Sequence, residues 1–92
     1  MSDEKDFIVE FVNKLDAHAK RKATLYDGIE TANRREDDMS IDFFLRCAIE
    51  ELGEVASAIT RERWQLAFEE CIDVAHTAML IALAIRKNKN WG

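Results

Sequence analysis

The chain has 92 residues, a formal net charge of -5, no proline and three glycines, and 48% of its residues are apolar. That length makes one domain or one subunit of a larger assembly, and the mixed, net negative charge excludes a surface that binds nucleic acid by neutralising phosphates. Such sparse turn punctuation, with many Ala, Leu, Glu and Arg residues, predicts an all-α protein of a single domain spanning residues 1–92.

The first helix is expected from near Asp3 to about Tyr26. Phe7, Ile8, Phe11, Val12, Leu15 and Ala19 follow the spacing of one apolar face, and Asp3, Glu4 and Asp6 suit its N-terminal end. The run Lys20-Arg21-Lys22 reads as a solvated face near the helix end or as a contribution to phosphate binding. Nothing at the start leads a positive end into an apolar segment, so no secretory signal is expected.

Asp27-Gly28 is a turn signal, and the polar stretch from Glu30 to Asp38 predicts a loop. It is an ordinary connection or a lid in which Arg34 or Arg35 reaches a phosphate.

Ser40 is a suitable N-cap for a second helix with the apolar arc Ile41, Phe44, Leu45, Ala48, Leu52, Val55 and Ile59. At about 100° per residue, Glu51 falls on the border of that arc and Glu50 nearly opposite it. Glu51 is therefore the inward candidate and Glu50 an outer, supporting one. Gly53 costs about 1 kcal/mol against Ala within a helix. Either it is tolerated, or it lets an ion, ligand or helix approach closely.

The third helix is expected from Arg63 or Trp64 to Lys87, with Phe68, Cys71, Ile72, Ala75, Ala78, Met79 and Ala82 as its apolar arc. Cys47 and Cys71 lack the CxxC spacing of zinc and redox motifs and read as buried free thiols. From Ala78 to Ile85 the sequence is apolar all round. This run is far short of the roughly 20 residues that span a bilayer, so it predicts burial across a homo-oligomer interface, no membrane partner and a cytoplasmic location.

Two stretches carry the chemistry. In Glu50-Glu51-Leu52-Gly53-Glu54 and Glu69-Glu70-Cys71-Ile72-Asp73, helical spacing puts Glu51 with Glu54, and Glu70 with Asp73, on one side of a helix. In one continuous helix Glu54 and Glu70 would stand roughly 24 Å apart. A reversal between Ile59 and Ala67, which neither Gly nor Pro announces, lets all four carboxylates face one centre. Such a cluster repels itself unless a hard cation neutralises it, which predicts Mg²⁺, with Mn²⁺ as a substitute, held by Glu51, Glu54, Glu70 and Asp73. The absence of GxxxxGK[ST] excludes P-loop chemistry.

These motifs, ExxE followed after a gap by ExxD, with the doubled Glu and Gly of EExGE, resemble the MazG-like family of all-alpha nucleoside triphosphate pyrophosphatases. The resemblance covers about residues 40 to 85. It implies antiparallel helices that form a four-helix-type bundle core as a homodimer or homotetramer. It also implies Mg²⁺-dependent hydrolysis of a nucleoside triphosphate, preferably a deoxynucleotide, to monophosphate and pyrophosphate in nucleotide-pool house-cleaning. Longer relatives carry a further phosphate-contacting helix, whereas here only Arg86, Lys87, Asn88 and Asn90 follow as loose candidates. The substrate-contact candidates are Arg34, Arg35, Lys22, Lys87 and Trp64, with Trp64 stacking on a base or merely packing. Two other readings stay open. Asp73-x-x-His76 permits a di-metal carboxylate bundle, unless His76 is an interface residue. Repeated Glu residues also suit a non-enzymatic, oligomeric helical interaction module.

Overall fold

The computed structural model describes residues 2–25 and 41–88, with side chains over 3–22 and 41–87. These residues form three helices and no strand: α1 (Ser2–Leu25), α2 (Ile41–Thr60) and α3 (Trp64–Asn88). The protein is all-α as its composition predicts. The Ser40 cap, the Asp27-Gly28 turn and the Arg34-Arg35 stretch lie outside the described residues.

α2 and α3 form a tight helical hairpin. Arg63 N–H donates to Ala58 C=O at 2.8 Å and Glu62 N–H to Ile59 C=O at 3.0 Å, the paired bonds of a Schellman motif. Its left-handed position is filled by Glu62, with φ 57°. A side chain there costs roughly 1–2 kcal/mol, which glycine would avoid. Arg63 C=O then accepts from Ala67 N–H at 2.9 Å and opens α3. The chain thus reverses in three residues without glycine or proline.

α1 docks on α3 through aromatic edges. Phe7 and Phe11 meet Phe68 with centroids 6.3 and 6.4 Å apart, and Lys14 Nζ sits 5.9 Å from the Phe68 centroid. Further along, His18 meets His76 edge to face at 5.1 Å. The order of these contacts makes α1 run in the same sense as α3, as an up-down-up array requires. α3 is central, since α1 and α2 each pack on it and not on each other.

The resulting core is thin. Val55, Ala58, Ala67, Ile72 and Ala84 are its buried apolar residues, whereas Ile49, Leu52 and Trp64 are 60%, 58% and 61% exposed. All three predicted arcs need correction. On α2, Leu45, Leu52 and Ile59 of the predicted arc are exposed, and the covered side runs through Phe44, Cys47, Glu51, Val55 and Ala58. On α1 the covered side is Phe11, Leu15, His18 and Ala19, while Phe7, Ile8 and Val12 remain exposed. On α3, Cys71, Ala78 and Ala82 are exposed, because they share a stripe that neither neighbouring helix covers. Cys71 is therefore not a buried thiol in this chain, and Cys47 is only partly buried; both are free.

Candidate functional site

The hairpin sets Glu51 and Glu54 of α2 against Glu70 and Asp73 of α3. Glu50 is exposed and Glu51 partly buried. Glu70 is pushed up from the ordinary 4.5 to about 7, first by burial, then by a hydrogen bond with Glu54, then by the charges of Glu54, Asp73 and Glu51. A hydrogen bond between two carboxyl groups exists only when one carries a proton. With both groups ionised, Glu70 Oε2 is buried without a partner. Glu51 is also raised, by burial and by Asp73 and Glu54, against the lowering effects of a Thr77 hydrogen bond and Lys22. The four carboxylates thus form one electrostatic cluster.

Their donor chemistry suits a hard cation, which would occupy the orphaned oxygen and relieve the mutual repulsion. Among the described residues, no three His, Cys, Asp or Glu side chains are spaced to close on one metal ion as they stand. Adjacency comes from the backbone; common ligation needs side-chain rotation.

Neutral and basic donors surround the cluster. Thr77 Oγ1 donates to Glu51 Oε1 across the hairpin at 2.7 Å. From α1, His18 Nε2 approaches Asp73 Oδ1 to 2.9 Å, although its N–H is not aligned on that oxygen. Arg21 donates to His18 Nδ1 at 3.0 Å, so that nitrogen accepts and Nε2 carries the proton. Burial lowers the pKa of His18 against the raising effect of Asp73, with Lys22 and Arg21 also lowering it. His76 is lowered by burial, His18 and Lys22. Both imidazoles are accordingly neutral at pH 7. His18 and Thr77 were not among the predicted site residues; the available signal was a polar side chain on an otherwise apolar inward face.

A second feature adjoins the carboxylates. An open groove of about 250 Å³ is lined by Glu54, Ser57, Ala58, Arg61, Arg63, Leu66 and Glu70. It brings Arg61 and Arg63 beside two carboxylates, neither of them a predicted phosphate contact. Of the predicted set, Lys22 lies close enough for its charge to act on Glu51, His18 and His76. Trp64 is exposed at the start of α3 and Lys87 near its end, while Arg34 and Arg35 lie outside the described residues. A Cβ added at Gly53 would meet nothing within 4 Å, so no close approach within this chain requires glycine there. Burial and the nearby Glu51 and Glu50 push the Cys47 thiol up, which favours its protonated form.

No protein family matches the chain, and neither a curated protein nor a solved structure is significantly similar to it. No helix among the described residues is long and apolar enough to cross a membrane.

Proposed function

We propose that the protein is a Mg²⁺-dependent nucleoside triphosphate pyrophosphohydrolase that converts a (d)NTP to (d)NMP and pyrophosphate. The observation that carries this reading is the frustrated carboxylate cluster: two pairs on facing helices, with Glu70 raised to about 7 and one of its oxygens buried without a partner. Such repulsion destabilises the metal-free fold and is relieved when a cation binds.

Glu51, Glu54, Glu70 and Asp73 would hold the ion, with Glu50 supporting them from outside. Bound there, Mg²⁺ supplies the positive charge that draws a triphosphate to an acidic surface and activates water for in-line attack at phosphorus. Arg61 and Arg63, which line the groove with Glu54 and Glu70, would receive phosphate oxygens and the departing pyrophosphate. Assignment of cleavage to the α,β bond, and of deoxynucleotides as preferred substrates, follows from the MazG-like motif resemblance.

We further propose a homodimer or homotetramer that completes a four-helix-type core. It is supported by the thin core, the exposed Ile49, Leu52, Met79 and Leu83, and the uncovered small-residue stripe on α3. Chromatography of nucleotide products from a dNTP panel tests the chemistry. Monophosphate with pyrophosphate, lost with EDTA and restored by Mg²⁺, is the expected result. Diphosphate with orthophosphate would refute the assigned bond, and no turnover across the panel would favour the interaction-module reading.

A further inference from the structure

We propose that His18 and Thr77 are positioning residues that hold Asp73 and Glu51, one carboxylate from each motif, in orientation for a divalent ion. The inference rests on the reading of the four carboxylates as a cation site, but it does not depend on the reaction carried out there.

Both side chains are buried, with 7% and 6% of their surface exposed. Burying an imidazole or a hydroxyl is unfavourable unless its polar atoms find partners, and leucine or valine would pack a helix interface without that penalty. Each nevertheless places a donor atom beside a carboxylate on another helix. Thr77 Oγ1 reaches Glu51 Oε1 at 2.7 Å, from α3 to α2. His18 Nε2 lies 2.9 Å from Asp73 Oδ1, from α1 to α3, with its N–H not aligned on that oxygen and with no hydrogen-bond partner among the described residues. The Arg21 contact to Nδ1 at 3.0 Å fixes the tautomer that puts the hydrogen on Nε2.

The two donors divide the cluster. Thr77 holds one oxygen of Glu51, and His18 Nε2 lies beside one oxygen of Asp73 without an aligned hydrogen bond. Glu54 and Glu70 instead face each other across the hairpin. His18 also brings α1, which carries neither motif, to the second motif at Asp73. Donors of this kind around a metal ligand typically change ion affinity by about 10–100-fold when removed.

The test is titration of the full chain with Mn²⁺ alone, followed by the electron paramagnetic resonance signal of the free ion. Thr77→Val and His18→Leu preserve packing and remove the donors. Thr77→Ser and His18→Gln restore a donor near the original atom. We expect Val and Leu to weaken Mn²⁺ binding about 10–100-fold, with thermal melting and assembly mass retained, and Ser and Gln to recover most of that loss. Should His18→Leu fail to fold, the Thr77 pair decides the matter, because Thr77→Val is nearly isosteric. Wild-type affinity in folded Val and Leu variants, or equal loss in Ser and Gln, would overturn the inference. A wild-type chain that binds Mn²⁺ with this pattern but hydrolyses no triphosphate would overturn the proposed reaction and leave the positioning role standing. Turnover with unchanged Mn²⁺ affinity in Val and Leu would do the reverse, and absence of Mn²⁺ binding by the wild type would overturn both.

Discussion

Glu70→Gln should stabilise the metal-free protein, and do so only where Glu70 would be ionised. The native chain raises this carboxyl from 4.5 to about 7 by burial, the Glu54 hydrogen bond and the neighbouring charges. Because the folded-state pKa is the higher one, the contribution of Glu70 to stability is fully present below 4.5 and is lost as pH rises through about 7. At 1.36 kcal/mol per pKa unit the ceiling is about 3.4 kcal/mol. Glu70 is only partly buried, and solvent screening reduces the effect to about 1–2 kcal/mol. His18 and His76, whose values are lowered, act oppositely: their contribution is present above 6.5 and lost as pH falls through the lowered values. The histidine effect cancels to first order when variant and wild type are compared at the same pH. Circular-dichroism melts at fixed protein concentration with EDTA should therefore show Glu70→Gln about 4–16 °C more stable at pH 8, and nearly equal to wild type near pH 4.5. Mg²⁺ should reverse the ranking by stabilising the wild type, by about 2.7 kcal/mol at a hundredfold excess over Kd, and the variant less. A pH-independent difference, or loss of stability in the variant at pH 8, would refute the account of the cluster.

Three further perturbations test separate parts of the structure. Glu62→Gly should raise the free energy of unfolding by about 1 kcal/mol, read from urea denaturation, because it removes a side chain from a left-handed backbone position; destabilisation would contradict the Schellman turn. Leu83 is 43% exposed in the chain, so Leu83→Asp should leave helix content intact while lowering the assembly mass in sedimentation velocity; an unchanged mass excludes this face from the interface. Arg61→Ala and Arg63→Ala should raise KM for a dNTP substrate about tenfold each at saturating Mg²⁺, while product identity stays the same; wild-type steady-state kinetics in both would remove the groove from the substrate path.

The helices were legible because little interrupts them: no proline occurs anywhere, and Gly53 alone interrupts a described helix. Their reversal was legible only indirectly. A Schellman turn usually advertises itself with glycine, but here Glu62 occupies the left-handed position, so the local sequence reads as continuous helix. Periodicity also ordered Glu50 and Glu51 correctly by exposure, since their angular separation on a helix is fixed by the backbone. It misjudged Cys71 because an apolar arc records which residues favour burial, not whether the chain supplies something to bury them. With α1 and α2 covering two sides of α3, the stripe through Cys71, Ala78 and Ala82 is left open.

His18 was illegible for a related reason. Helical spacing places position 18 on the inward face with Phe11 and Leu15, yet a lone polar residue on such a face has many meanings until the opposing helix is known. The contact that gives it meaning joins α1 to Asp73 and requires α1 to run in the same sense as α3, a property of the whole array. Thr77 differs in degree: the helical hairpin brings it opposite Glu51, but only the side-chain torsions put its hydroxyl 2.7 Å from that carboxylate. Carboxylate spacing within a motif is thus written locally, whereas the donors that orient those carboxylates are distributed along the chain. A motif alone therefore reports which residues can bind an ion. The surrounding donors bear on how far those residues must rearrange to do so: Glu51 already accepts from Thr77, whereas Glu54 and Glu70 repel each other unless one carries a proton.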